Sequence, residues 1–285
     1  MNIQENISLS PLTTMGVGGR ARYYAMVQSE GDLQEALQFV KKENIPFYIF
    51  GNGSNILFPD EGYAGLIIHN RIQTVHTEGD RVILGAGVLL NTAIMELMKK
   101  GFSGFEKMFG IPGTIGGAVF QNASAYGQEI STHLISGRVI NTENLGIETW
   151  KKDDFQLSYR MSALKASHGK YLLIDALFEF PREDSQIIAA HVAEVNKERQ
   201  IRPIGKSVGS FFKNPSNEVG AGKLIEAAGL KGFQIGGAIV SPVHANYLMN
   251  TGTATRQDIL ELSKYVKQKV FENSGIELEE EVRVV

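Results

Sequence analysis

The sequence predicts an α+β protein. Strand-like and helix-like stretches are grouped instead of alternating regularly, helical patterning dominates after Ser185, and two glycine-rich loops interrupt the strand-rich part. A chain of 285 residues is long enough for about two domains with sizeable cores.

The elements follow in order. In SEGDLQEALQFVKKE, Leu33, Ala36, Leu37 and Val40 recur on one helical face, and Ser29 and Asp32 have the spacing of a capping pair. After Pro46, FYIF reads as a strand that breaks into the loop GNGSN. GLIIH, RVILGAG, LISGRVINT, GIETW and YLLIDALFEF read as further strands, and NTAIMELMKKG as a helix with Gly101 just past its end. From Ser185 the pattern turns helical through IIAAHVAEVNKER, which marks the boundary of the strand-rich part. Helical segments follow at 219–228 and 256–273, the latter with Thr255 and Asp258 at capping-box spacing. GIELEEEVRVV reads as a closing strand with Glu279, Glu281 and Arg283 on one side and Glu280 and Val282 on the other.

Composition excludes several classes. Lys plus Arg is 28 against 31 Asp plus Glu, a net charge of -3, so no overall basic field draws nucleic acid to the chain. Without cysteine there is no disulfide, thiolate metal site, iron-sulfur cluster or cysteine nucleophile. The six histidines show no metal-ligand spacing, and no metal is expected. The start MNIQENISLSPLTTMG lacks a secretory pattern, and nowhere do about 18 apolar residues run together, so the expectation is a cytoplasmic protein without membrane insertion.

Two familiar glycine motifs fail. Gly16, Gly18 and Ala21 match G-x-G-x-x-A but precede the strand-like RYYAMV, whereas a dinucleotide fingerprint follows a strand and opens a helix. Gly205, Lys206 and Ser207 resemble the end of a P-loop, yet its earlier glycine position is Gln200 and SFF follows. GNGSN, residues 51–55, and GIPGTIGGAVFQNASAYG, residues 110–127, remain. Both are neutral and rich in small residues, so each is either a tight turn or a cradle of backbone N–H groups for a diphosphate. The longer one is read as extended backbone lying against a flat ligand.

The charged chemistry sits elsewhere. Arg160 in LSYRMSALK is flanked by small and apolar residues, a context for a structural ion pair or for a guanidinium that grips a carboxylate two bonds at a time. In KSVGSFFKNP, Phe211 and Phe212 read as core, while Lys206, Ser210, Lys213 and Asn214 gather cations and donors suited to a phosphorylated or carboxylated ligand. Ser210 lacks the G-x-S-x-G elbow of a hydrolase nucleophile, which leaves it as a hydrogen-bond or proton donor. His244, beside Asn246, is the one histidine placed near a ligand.

Taken in order over nearly the whole chain, GNGSN, IPGTIGGA, YR-x-S, GSFFKNP and E-V-R resemble the UDP-N-acetylenolpyruvoylglucosamine reductases. The resemblance implies a two-part FAD-binding region of the vanillyl-alcohol oxidase type, residues 1–69 and 70–199, and a substrate-binding domain, residues 200–285, whose last strand returns to the active site. It implies non-covalent FAD held by Asn52, Gly53, Ser54, Asn55, Ile56, Gly113, Thr114, Gly116 and Gly117. It also implies NADPH as co-substrate, and catalysis by Arg160, Ser210 and Glu281. Tyr159, Lys206, Asn214 and His244 fall where contacts with the UDP-sugar are expected, and a monomer is the expected state. Met15 stands where the family often has phenylalanine, Val243 where a lysine often precedes H-A-N, and the length resembles the shorter subgroup.

The implied reaction reduces the enolpyruvyl ether of a UDP-sugar to UDP-N-acetylmuramate for bacterial peptidoglycan. Arg160 would bind the carboxylate, and either Ser210 or Glu281 would deliver the proton. Two alternatives stand beside it: an FAD-dependent oxidase of sugars or alcohols on the same scaffold, and a nucleotide-sugar binding protein without catalysis.

Overall fold

The computed structural model describes residues 1–216 and 218–285. The chain divides into two compact units, the first formed by residues 1–4, 23–52 and 65–200, the second by 5–22, 53–64 and 201–285.

Helix α1 (Glu30–Glu43) belongs to the first unit, and its cap is the one its sequence encodes. The Ser29 hydroxyl accepts from the Asp32 N–H at 3.1 Å, and the Asp32 carboxylate accepts from the Ser29 N–H at 3.1 Å. Leu33, Ala36, Leu37 and Val40 are buried, and Asn44 ends the helix in a left-handed turn. Strand Phe47–Phe50 then pairs in parallel with Tyr63–Asn70 in a four-stranded sheet of order Ile3–Ser8, Arg20–Val27, Tyr63–Asn70, Phe47–Phe50. One core joins the buried face of α1 to Ala25, Val27, Leu66 and Ile68, with Ile140, Leu172 and Ile174.

A second core in the same unit lies on a five-stranded antiparallel sheet, ordered Ile147–Lys151, Leu134–Asn141, Tyr171–Glu179, Arg81–Gly85, Val75–Glu78. Helices α2 (Leu90–Lys99), α3 (Ile115–Gln121), α4 (Ala163–Ala166) and α5 (Ser185–Arg199) complete it. Phe102, Phe105, Phe155 and Phe178 are fully buried there.

In the second unit, helices α6 (Ala221–Ala227) and α7 (Arg256–Ser274) accompany a four-stranded antiparallel sheet ordered Lys206–Ser207, Leu248–Asn250, Ala238–Val240, Gln234–Ile235. The predicted Thr255–Asp258 capping box is present, and Gly275 closes α7 at φ 70°. Met15, Val17 and Leu57 join Phe211, Phe212, Ile225, Ile259 and Leu262 in this core. Residues 5–22 and 53–64 therefore cluster with 201–285, whereas the sequence suggested divisions only after residues 69 and 199.

Two local expectations change. The segment 110–127 is not extended throughout, because Thr114 accepts from the Gly117 N–H at 3.2 Å and starts α3, whose Ile115, Ala118 and Val119 face the core. The closing strand is short: Arg283–Val284 pairs in parallel with Ile56–Leu57, and before it Glu280 forms an isolated antiparallel bridge with Phe212.

Candidate functional site

In the first unit the two glycine loops meet. Asn52 Nδ2 donates to the Pro112 carbonyl at 2.7 Å, and a β-carbon on Gly51 would strike the Thr114 side chain. Sequence alone offered each loop separately; the fold joins them by contacts that only glycine at 51 admits. Within α3 the two adjacent glycines differ. Gly116 donates its N–H to the Ala86 carbonyl at 2.8 Å, and a β-carbon there would lie 2.9 Å from that of Ala86, so this glycine serves close packing. Gly117 is exposed and has room for a β-carbon, whose nearest neighbour would be Thr114 Oγ1 at 3.6 Å. The Gly113 carbonyl accepts from the Leu90 N–H at 2.9 Å.

Gly53 to Ile56 belong to the second unit. The Gly53 carbonyl accepts from the Thr14 N–H at 3.0 Å, and the buried Thr14 Oγ1 has no hydrogen-bond partner among the described residues. An orphaned hydroxyl beside a buried glycine and the partly exposed Ser54 fits a ligand rich in acceptor oxygens, such as a diphosphate. Asn55 is turned the other way: its Nδ2 donates to the Glu281 carbonyl at 3.1 Å, and its own carbonyl accepts from the Arg283 N–H at 3.0 Å.

Arg160 stands at the tip of a tight turn in the first unit. Ser158 and Met161 exchange two main-chain hydrogen bonds of 3.1 Å, leaving Tyr159 and Arg160 as the central residues. Arg160 adopts φ 56°, a left-handed conformation costly for a residue with a side chain. The turn is held by Asn122 Nδ2 on the Ser158 carbonyl at 3.1 Å and by Lys165 Nζ on the Arg160 carbonyl at 2.9 Å. The guanidinium donates to Ser124 Oγ at 3.1 Å and lies 5.3 Å from the centre of the half-exposed Tyr159 ring. Neither the turn nor its strain is visible in the sequence.

Ser210 and Glu281 belong to the second unit, where the residues just after Ser210 form a small ladder with Glu279–Glu281. The Glu281 N–H donates to the Phe211 carbonyl at 2.8 Å, and the Lys213 N–H to the Glu279 carbonyl at 2.8 Å. Asn246, 2% exposed, fixes the same segment. Its carbonyl accepts from the Phe211 N–H at 2.8 Å, while its side chain accepts from the Phe212 N–H and donates to the Phe212 carbonyl, each at 2.9 Å. Sequence reasoning noticed Asn246 only as a neighbour of His244, because a side-chain amide that grips main chain 34 residues away leaves no mark in local spacing.

The three consecutive glutamates separate. Glu279 pairs with Lys213 Nζ, and Glu280 turns toward α7, accepting from Ser263 Oγ at 3.0 Å and Lys267 Nζ at 3.1 Å. Burial alone would push the Glu280 carboxyl up, but these hydrogen bonds hold it below the usual carboxylate range. Glu281 is left partly exposed.

The remaining predicted contacts also lie in the second unit. Lys206 is exposed, with its stem running over Gly16, where a β-carbon would lie 2.9 Å from Lys206 Cδ. Asn214 Oδ1 accepts from the Ala221 N–H at 3.1 Å at the start of α6, and exposed His244 accepts through Nδ1 from the Asn246 N–H at 3.3 Å. Among the described residues, no group of His, Asp and Glu could hold a metal ion, and no helix is long and apolar enough to cross a membrane.

Comparison with known proteins identifies the family and the fold. Residues 21–144 match the model of an FAD binding domain, and residues 200–285 that of the UDP-N-acetylenolpyruvoylglucosamine reductase C-terminal domain. A protein of Clostridium botulinum named UDP-N-acetylenolpyruvoylglucosamine reductase is 38% identical over 99% of this chain and 93% of its own length. One of that name from Protochlamydia amoebophila is 37% identical over the same shares. The crystal structure of the reductase from Thermus caldophilus superimposes with a TM-score of 0.85, at 32% identity, covering 100% of this chain and 99% of that one. The expected α+β fold, with an FAD-binding region followed by a substrate-type C-terminal domain, is thus the observed one. The chain belongs to the UDP-N-acetylenolpyruvoylglucosamine reductase family and is an FAD-binding oxidoreductase.

Proposed function

We propose that this chain uses NADPH to reduce the enolpyruvyl ether of UDP-N-acetylglucosamine enolpyruvate to UDP-N-acetylmuramate, a cytoplasmic step in bacterial peptidoglycan precursor synthesis, and that it acts as a monomer. The near full-length match to reductases of that name carries the proposal. When bound, FAD would supply two-electron hydride chemistry linking the nicotinamide to the enolpyruvyl double bond.

The chain's own residues handle charge and protons. Arg160 binds the substrate carboxylate through its planar fork, which stabilises the negative charge that develops on the adjacent carbon. A left-handed, hydrogen-bonded turn supports this role, since strain of that kind persists where a side chain must be aimed. Ser210 delivers the proton to that carbon, completing addition of one hydride and one proton across the double bond. Asn246 and the Glu281 ladder hold the Ser210 segment, which supports a fixed donor. Glu281 keeps the geometry and shares the proton. Lys206, Asn214, Tyr159 and His244 contact the UDP-sugar.

Asn52, Gly53, Ser54, Asn55, Ile56, Gly113, Thr114, Gly116 and Gly117 line the FAD, some by reaching it and others by shaping the loops. Asn55 and Gly116 belong to the second group, because Asn55 Nδ2 and the Gly116 N–H are committed within the protein. The test is single-turnover kinetics on Ser210→Ala. Flavin bleaching by NADPH should persist, while recovery on adding the enolpyruvyl substrate slows by about 10² to 10⁴, the range for losing a general acid. Recovery at the unaltered rate would remove Ser210 from the reaction.

A further inference from the structure

A buried polar pair in the first unit lies against the first residue of the 51–55 loop. His69, 7% exposed, faces Phe50 across the parallel strands, and the two rings stack with centroids 4.5 Å apart. Its Nδ1 is 2.7 Å from the hydroxyl of Tyr24, itself 6% exposed, and the Gly51 main chain lies beside the imidazole. Burial, and next the Arg71 charge, keep the ring neutral by depressing its pKa to about 4.

A neutral imidazole has one donor and one acceptor nitrogen. If the carbonyl of Gly51 takes the ring N–H, the Nδ1 lone pair is left for the Tyr24 hydroxyl, and both groups are satisfied without water. The Gly51–Asn52 peptide is trans, so its carbonyl and the Asn52 N–H point in opposite directions. A carbonyl anchored on His69 would turn the Asn52 N–H away from the buried ring. The Asn52 side chain is fixed separately, on the Pro112 carbonyl, and a side chain at position 51 is excluded by Thr114. Those contacts hold the loop on either side of the 51–52 peptide.

We propose that Tyr24 and His69 are positioning residues for cofactor binding: Tyr24 O–H donates to His69 Nδ1, His69 Nε2–H donates to the Gly51 carbonyl, and the peptide so oriented offers the Asn52 N–H to the anionic part of FAD. The inference rests on the reading that residues 52–56 line the FAD.

The test is titration of flavin-free protein with FAD, followed by quenching of flavin fluorescence, on Tyr24→Phe, His69→Leu, His69→Gln and Asn52→Ala, with apoprotein melting measured in parallel. Tyr24→Phe and His69→Leu should weaken FAD binding by about 3- to 15-fold, the loss of one oriented hydrogen bond. His69→Gln, whose amide can still donate to the carbonyl, should recover most of that loss although it melts no higher than His69→Leu. Unchanged affinity in Tyr24→Phe, or equal losses in the leucine and glutamine variants, would overturn the relay. If Asn52→Ala weakens binding while those variants do not, only the relay fails; if Asn52→Ala also leaves affinity unchanged, the loop reading fails with it.

Discussion

Asn55 donates through Nδ2 to the main-chain oxygen of Glu281 at 3.1 Å, joining residues 226 positions apart in the chain. The Asn55 carbonyl accepts in turn from the Arg283 N–H, so one residue stitches the 53–56 segment to the end of the chain. Replacing it by alanine removes the side-chain bond and leaves the main-chain pairing. Asn55→Ala should lower stability by about 1 kcal/mol, the net worth of one hydrogen bond. It should also slow substrate-driven recovery of the flavin colour more than bleaching by NADPH, because the Glu281 carbonyl loses its side-chain anchor. Chemical denaturation and stopped-flow absorbance check both parts; equal slowing of the two half-reactions would place Asn55 with the cofactor instead.

At position 160, stability and activity should separate. Glycine adopts φ 56° without the steric cost an arginine bears, so Arg160→Gly should leave the melting temperature unchanged or slightly raised. Turnover should nevertheless collapse. Arg160→Lys keeps the charge but not the fork, and should remain severely impaired. Differential scanning calorimetry and steady-state kinetics on the two variants provide the check, and near-normal turnover in Arg160→Lys would count against carboxylate binding there.

Positions 116 and 117 give a paired control. A valine at 116 would press on Ala86, and Gly116→Val should reduce folded yield, with overpacking costing about 1–3 kcal/mol. Gly117 has open space, so Gly117→Val should fold, apart from a modest helix-propensity effect, and lose bound FAD on purification. Flavin content per folded chain distinguishes them. A Gly117→Val protein with full flavin would show that the cofactor lies elsewhere.

Much of the fold was legible in the sequence because local chemistry dictates it. Ser29 with Asp32 and Thr255 with Asp258 start helices where their capping spacing says they should, and the apolar positions of α1 all face the core. The α3 segment was misread because glycines at 116 and 117 disguise a helix that Thr114 caps and Ile115, Ala118 and Val119 bury. The parallel pairing of Ile56–Leu57 with Arg283–Val284 was not legible, since it depends on a long-range register that neither segment encodes. The same holds for Asn246 and Asn55: a side-chain amide acting on distant main chain leaves no pattern in spacing. Arg160 was identifiable as a functional candidate by its context, but its left-handed turn was not.

Acid should weaken the fold through His69. Its pKa falls from 6.5 to about 4 on folding, so below 6.5 the unfolded chain binds a proton that the folded chain refuses. The contribution is complete above about pH 6.5 and is lost as pH falls toward 4, amounting to at most on the order of 3 kcal/mol. His133, lowered by burial, acts with the same sign. Urea titrations between about pH 7 and 4.5 should therefore show a shallower decline in His69→Gln than in the parent, and parallel declines would show that His69 is not the group responsible.

The central claim is that this chain joins NADPH oxidation to reduction of an enolpyruvyl UDP-sugar through bound FAD. An anaerobic titration of the flavin-loaded protein tests it most directly: NADPH is added until the flavin absorbance is lost, then UDP-N-acetylglucosamine enolpyruvate, with the product identified by mass spectrometry. Loss of colour by NADPH, stoichiometric recovery on adding the sugar, and a product carrying two additional hydrogens are the predicted result. Bleaching that the sugar does not reverse, or a protein that binds the sugar but never takes up FAD, would contradict it.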